Sequence, residues 1–286
     1  MIRSGKIPGF RKLVQVISGL AQNGHLTGFV TGLIYSGSLK RFCVPGMNCY
    51  SCPGALGACP IGAIQSMLVT KKPRFAFYAV GYLAILGMLL GRFICGWLCL
   101  FGLIQELLYK IPVRKPEVPA KADRVLRYFK YVFLFVFVIL LPLILRDEFG
   151  MGLPYFCKWI CPVGMLEGGI PLLILNEALR PMAHLLYAWK LALLILLILM
   201  SVVIHRPFCK YICPLGAFYA LFQRISFLKL RVDRETCVDC GRCASVCRMQ
   251  VDPLKAPNSP ECIRCGDCVN DCPCGALRFT FKEQAR

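Results

Sequence analysis

Acidic side chains are scarce in this sequence: 15 Asp and Glu stand against 34 Lys and Arg in 286 residues, a formal net charge of +19. Histidine is rarer still. His25, His184 and His205 are the only three, and they form no matched pair on facing apolar segments, so a di-haem quinone site has poor support. No G-x-G-x-x-G follows a strand-like run and no Walker loop occurs, which leaves nothing to cradle a nucleotide. No nucleophile is joined to a base in a recognisable constellation, so bond-making catalysis by the chain itself is not expected. Polar surface is short as well. Hydrophobic residues make up 57% of the chain and mean hydropathy is +0.61, against about 45–50% apolar residues in soluble domains.

The apolar excess is concentrated in runs such as 131–145 and 191–204. A helix needs about 20 mostly apolar residues to cross the roughly 30 Å of bilayer hydrocarbon. Four spans are expected, at about 13–35, 75–91, 125–145 and 185–205. Arg3, Lys6, Arg11 and Lys12 precede the first as in a signal peptide. However, Gln15, Gln22, Asn23 and His25 interrupt that stretch and no clear cleavage site follows, so it reads as a retained, rather polar first span. With the N-terminus in the cytoplasm, 36–74 and 146–184 lie outside, and 92–124 and 206–286 inside. Arg92, Lys110, Arg114, Lys115, Lys121 and Arg124 in the inner loop obey the positive-inside rule, as do Asp147, Glu148, Glu167 and Glu177 in the second outer loop. Lys40, Arg41, Lys71, Lys72 and Arg74 in the first outer loop run against it. From Lys229 onward the charge is nearly balanced, so the basic excess belongs to the membrane half. There it suits anionic lipid headgroups. Basic residues that flank apolar helices without a recognition motif do not suggest nucleic acid.

The chain resembles itself. Gly91-Arg-Phe-Ile-Cys-Gly-Trp-Leu-Cys99 parallels His205-Arg-Pro-Phe-Cys-Lys-Tyr-Ile-Cys213, and Ala58-Cys-Pro-Ile-Gly-Ala parallels Ile160-Cys-Pro-Val-Gly-Met. Two halves repeated in the same order imply parallel repeats about an axis along the membrane normal. The expected fold is an α-helical membrane protein of about four transmembrane helices in two parallel repeats, with a C-terminal α+β two-cluster ferredoxin-like domain. Residues 1–112 form the first repeat with a Cys-rich outer loop at 36–74, residues 113–228 the second, and residues 229–286 the ferredoxin-like domain.

The 19 cysteines fall at metal-ligand intervals rather than in a disulfide framework. Cys237, Cys240, Cys243 and Cys247 follow C-x2-C-x2-C-x3-C, and Cys262, Cys265, Cys268 and Cys272 repeat it, with Pro273 closing the second copy. In the bacterial two-cluster pattern the fourth cysteine of each motif ligates the other cluster. One [4Fe–4S] cluster is therefore expected on Cys237, Cys240, Cys243 and Cys272, and another on Cys262, Cys265, Cys268 and Cys247. Structural zinc favours two Cys-x2-Cys pairs, not four thiols in a row twice over.

Cys95/Cys99 and Cys209/Cys213 are spaced to put both thiols of a pair on one helical face. Together they supply four thiolates, enough for a cubane on the inner side, with a shared copper or zinc ion as the competitor. On the outer side Cys43, Cys49, Cys52 and Cys59 share the first loop, and Cys157 and Cys161 the second. The repeat groups Cys59 with Cys157 and Cys161; a fourth ligand remains open among Cys43, Cys49 and Cys52. Two clusters are expected in the C-terminal domain, and three or four in all.

Cys95-Gly-Trp-Leu-Cys99 and Cys209-Lys-Tyr-Ile-Cys213-Pro, followed by a two-cluster ferredoxin domain, resemble the membrane polyferredoxins. That family includes the quinol dehydrogenase subunit of periplasmic nitrate reduction, the membrane regulator of nitrous-oxide reduction and the copper reductase of cytochrome-oxidase assembly. The resemblance covers roughly 75–286, with Leu100 standing where the family usually has Pro. It implies an iron–sulfur electron-transfer protein of the cell (inner) membrane, multi-pass, with its ferredoxin domain cytoplasmic. Its partners would be a cytoplasmic redox protein as donor and a membrane or outer-face acceptor. Reduction of a metal ion such as copper, or oxidation of a quinol, stands as the alternative activity.

Overall fold

The computed structural model describes residues 7–69, 76–116, 118–145, 152–182 and 184–281. The flanking charges Arg3, Lys6, Lys71, Lys72, Arg74, Asp147 and Glu148 lie outside the described residues.

Helix α1 (Ile7–Gln22) stops where Asn23, Gly24 and His25 interrupt the apolar pattern, and only one further turn follows, α2 (Thr27–Thr31). The break has a physical cause. The Gln22 carbonyl accepts the amide of Leu56, and the His25 amide donates to Gly54, so backbone groups that would continue the helix are tied to the cysteine-rich loop. The segment expected as one span over 13–35 is therefore two helices joined by a bend. Helices α3 (Pro60–Val69) and α4 (Ala76–Leu90) follow, and Gly91 ends α4 with a φ of 54°. At 15 residues α4 is about 22 Å long, short of a full bilayer crossing. Next come α5 (Phe93–Trp97) and α6 (Leu100–Leu108).

Among the described residues two helices are long and apolar enough to cross a membrane: α7 (Ala120–Ile144) and, after the shorter α8 (Pro162–Leu175), α9 (Leu185–Val203). Only 22% of the most apolar window of α7 and 17% of that of α9 are buried. A core helix of a soluble domain would be mostly buried; these turn Phe135, Ile144, Leu196 and Leu199 outward, as lipid-facing helices do. Helix α10 (Pro214–Phe222) leads into the C-terminal domain. There β1 (Lys229–Val232) pairs antiparallel with β2 (Leu277–Thr280), with Leu230 opposite Phe279, while two single-turn helices, α11 (Arg242–Ser245) and α12 (Asp267–Asn270), lie between them in the chain.

One core runs through the helical part, where Ile61, Leu83, Ile94, Val138, Phe156, Phe208 and Leu215 pack with Cys59, Cys95, Cys99, Cys161 and Cys213, and Met249, Val251 and Ile263 of the C-terminal segment join it. A smaller one sits under the sheet, with Leu230, Leu277, Cys243 and Cys268. Specific polar contacts also join the C-terminal segment to the helical part. Lys130, fully buried in α7, meets Glu261 at 2.5 Å; Arg127 donates to the Met249 carbonyl at 2.8 Å; Arg264 donates to the Leu90 carbonyl at 2.9 Å and the Ser226 hydroxyl at 2.7 Å.

Candidate metal centres

The two C-terminal cysteine motifs turn in the same way. Asp239 and Arg264, each just before the second cysteine of its motif, have φ of 48° and 52°, and the glycines that follow Cys240 and Cys265 have φ of 71° and 87°. Left-handed residues let so short a loop bend its thiols toward one point, and Gly241 and Gly266 adopt that conformation without strain. Cys237, Cys240, Cys243 and Cys272 line one enclosed cavity. Cys247, Cys262, Cys265 and Cys268 line another. Cys272 of the second motif thus lines the cavity of the first, and Cys247 of the first lines that of the second. Cys274, which the spacing leaves aside, lines the first cavity too, with its sulfur 3.7 Å from that of Cys272.

Cys95, Cys99, Cys209 and Cys213 ring a third cavity, closed by Met47, Phe101 and Phe208. Cys99 and Cys213 hold extended backbone, with ψ of 112° and 113°, and each immediately precedes a helix, α6 or α10. Cys161 does the same before α8, with ψ of 109°, and Cys59 precedes α3. A glycine sits at the third position of every one of these helices: Gly62, Gly102, Gly164 and Gly216. The Gly216 amide donates to the Cys213 sulfur at 3.3 Å, and the amides of the other three serve Cys59, Cys99 and Cys161. Amides at a helix start favour a thiolate and steady it as a ligand.

Of the six outer cysteines, the structure groups Cys49, Cys59, Cys157 and Cys161 within mutual electrostatic range. Cys49 lies against α8: its amide donates to Glu167 at 2.8 Å, and a Cβ on Gly168 would stand 3.3 Å from its sulfur. Cys43 also lies within electrostatic reach of Cys59, and Lys40 within reach of both Cys52 and Cys49. The loop that carries these residues packs directly on the inner set. A Cβ on Gly46 would stand 3.3 Å from Cα of Cys99, and the Tyr219 hydroxyl donates to the Pro45 carbonyl at 2.9 Å. Cysteines of both sets, among them Cys43, Cys59, Cys99, Cys161 and Cys213, therefore share one core.

Each of the three cavities is lined by four cysteines of one expected set, the ligand count of a cubane. Among the described residues no three His, Cys, Asp or Glu side chains converge closely enough for one metal ion. Burial pushes the Cys99 thiol up to about 11 and the Cys49 and Cys268 thiols up to about 12. Such thiols become ligating thiolates through the metal they bind.

Comparison with known sequences meets this geometry from another side. The pattern described as "4Fe-4S binding domain" matches residues 73–119, 130–170 and 186–233. "Uncharacterized protein MJ0749" of Methanocaldococcus jannaschii is 31% identical over 202 residues, 68% of this chain and 67% of the relative. The chain belongs to this 4Fe-4S ferredoxin-type family. "Putative electron transport protein YccM" of Escherichia coli is also 31% identical, over 70% of this chain and 54% of its own length. "Ferredoxin-type protein NapH" of Haemophilus influenzae is 25% identical, over 70% and 65%. No solved structure matches the chain.

The threefold match exposes a unit that the spacing argument passed over. Phe156-Cys-Lys-Trp-Ile-Cys161-Pro is the same element as Phe208-Cys-Lys-Tyr-Ile-Cys213-Pro, and both begin as a π-wound turn. The signal was the shared Cys-x3-Cys interval. Matching Cys161 to Cys59 by their Cys-Pro-x-Gly context hid it.

Proposed function

We propose that this chain relays electrons through four [4Fe–4S] clusters in series, between a cytoplasmic redox protein and an acceptor in the membrane or at its outer face. The sites follow in the order Cys237/Cys240/Cys243/Cys272, Cys247/Cys262/Cys265/Cys268, Cys95/Cys99/Cys209/Cys213 and Cys49/Cys59/Cys157/Cys161. A cluster bound at each supplies one-electron redox capacity. The protein's own part is placement. Burial excludes water from the inner sites, amide N–H groups orient the sulfurs, and direct contact between the cysteine loops keeps the sites close.

The observation that carries this reading is the grouping of three separate sets of four cysteines around three separate cavities. Helices α7 and α9 serve in it as membrane spans, with the C-terminal domain on the cytoplasmic side. The test is iron and acid-labile sulfide per purified chain, with about sixteen irons expected at four to a cubane. The relay itself is tested in vesicles, with dithionite outside and ferricyanide trapped inside. Iron for two clusters only, or no ferricyanide reduction above protein-free vesicles, overturns the reading.

One observation favours oxidation of a quinol as a second reading. A cavity of about 520 Å³ opens at the C-terminal end of α9, lined by Tyr109, Val203, Ile204, His205 and Cys247. It is of cofactor-site size. His205 is buried there and its Nδ1 has no hydrogen-bond partner. Reduction of the clusters by a short-chain quinol, abolished in His205→Ala, would support this reading.

A further inference from the structure

Two arginines flank the central cysteine site at matching places in the two halves of the chain. Arg92 stands three residues before Cys95, and Arg206 three residues before Cys209. Both are completely buried, at 0% exposure. Their hydrogen bonds cross. Arg92 Nη2 donates to the carbonyl of Cys209 at 3.1 Å, and Arg206 Nη1 donates to the carbonyl of Cys95 at 2.6 Å. Each guanidinium thus grips the opposite half of the cavity, and both lie within electrostatic reach of Cys95 and Cys209.

A guanidinium keeps its charge, and a buried charge needs partners. Here the partners are shared. Glu261 serves both Arg92, at 3.1 Å, and Lys130, at 2.5 Å. Glu106 serves both Arg206, at 2.9 Å, and Arg11, at 2.8 Å, with His205 at 3.7 Å. Burial works to raise the Glu106 carboxyl, but Arg206, Arg11 and His205 outweigh it and hold the group down to about 2. Each carboxylate is charged and divided between two cations, so neither arginine is fully neutralised.

We infer that Arg92 and Arg206 are positioning residues that clamp the two halves of the Cys95/Cys99/Cys209/Cys213 site and place uncancelled positive charge against it. Their effect is to raise the reduction potential of a cluster bound there. The inference rests on reading this site as a [4Fe–4S] site. Four thiolates around an oxidised cubane carry about two negative charges in sum, and the incoming electron adds one more. Positive charge held nearby in a low-dielectric interior favours the more negative state. The arginines gain or lose nothing in the exchange: the electron comes from the redox donor, and the cluster core alone is reduced.

The test is a redox titration of the purified, cluster-loaded full chain by electron paramagnetic resonance. The central signal is identified as the one lost in Cys95→Ala. Arg92→Gln and Arg206→Gln are each expected to lower its reduced-to-oxidised ratio about tenfold at fixed ambient potential, or ~59 mV for a one-electron couple. Arg92→Lys and Arg206→Lys keep the charge without the fork and are expected to stay closer to wild type. Glu106→Gln removes an anion and is expected to move the potential upward. The Glu106→Gln and lysine variants decide the matter should a glutamine variant not assemble the cluster. An unmoved potential in the glutamine variants, or a fall in Glu106→Gln, overturns the inference while the cluster assignment stands. A wild-type chain with no signal attributable to Cys95 overturns the cluster assignment itself, and this inference with it.

Discussion

The indole N–H of Trp97 donates to the backbone carbonyl of Arg264 at 2.9 Å. Trp97 lies between Cys95 and Cys99, and Arg264 between Cys262 and Cys265. One hydrogen bond therefore joins the loop of the central site to the loop of a ferredoxin-domain site. Beside it, a Cβ on Gly96 would stand 2.3 Å from the carbonyl oxygen of Ile263, a backbone atom that has no rotamer with which to move aside. The absence of a side chain at residue 96 is what permits this close approach.

Gly96→Val is expected to separate the two loops and leave both sets of ligands intact. Overpacking at such a contact costs about 1–3 kcal/mol. Iron per chain should remain at the wild-type level while electron equilibration between the ferredoxin domain and the central site slows. Rapid-mixing reduction followed by freeze-quench spectroscopy checks this. Unchanged kinetics would mean that the electron route does not cross this contact.

Glu261 holds the same interface by charge. It meets Lys130 and Arg92, both at 0% exposure. Glu261→Ala leaves both cations buried without their carboxylate, and breaking a buried ion pair on one side costs about 3–5 kcal/mol. The expected result is release of the C-terminal domain at lower denaturant than in wild type, read as protease cleavage near residue 228. Glu261→Gln keeps the hydrogen-bonding shape without the charge and is expected to fall between the two.

The gathering of the C-terminal cysteines around two cavities was readable because the spacing within each motif is local. The lipid-facing helices were readable because α7 and α9 are apolar on nearly every side. The bend after Gln22 was only half readable. Asn23, Gly24 and His25 advertise it, yet what stops the helix is a set of backbone bonds to Gly54 and Leu56, about thirty residues further on. The crossed arginines could not be read at all. Arg92 and Cys209 are 117 residues apart in sequence, and Arg206 and Cys95 are 111 apart, so only the packing of the two halves brings them together.

Gly91 is a second place where a missing side chain matters. It ends α4 with φ of 54°, and a Cβ there would stand 2.4 Å from Gln223 Oε1 and 2.9 Å from an Arg264 guanidinium nitrogen. Gln223 in turn accepts the Arg92 amide at 2.8 Å and donates to the Cys262 carbonyl at 2.9 Å. The left-handed conformation alone costs a non-glycine residue about 1–2 kcal/mol. Gly91→Ala is expected to lower thermal stability by at least that amount, and Gly91→Asn, which tolerates this backbone better, by less. Melting curves in detergent distinguish them.

The outer cysteines differ in which neighbours they reach. Cys49, Cys59, Cys157 and Cys161 lie within electrostatic reach of one another, while Cys43 reaches Cys59 and Cys52 reaches Lys40 and Glu167. Removing a ligand from a four-thiolate site should cost the whole cluster, about four irons. Cys49→Ala and Cys157→Ala are therefore each expected to lower iron by about four per chain, and the double variant by no more than either alone. Cys43→Ala and Cys52→Ala should leave iron unchanged, because a buried cysteine that binds no metal packs as a small apolar side chain. Loss of iron in Cys43→Ala with full retention in Cys49→Ala would move the fourth ligand to the far side of Cys59. The Gly168 contact with the Cys49 sulfur would then be packing alone.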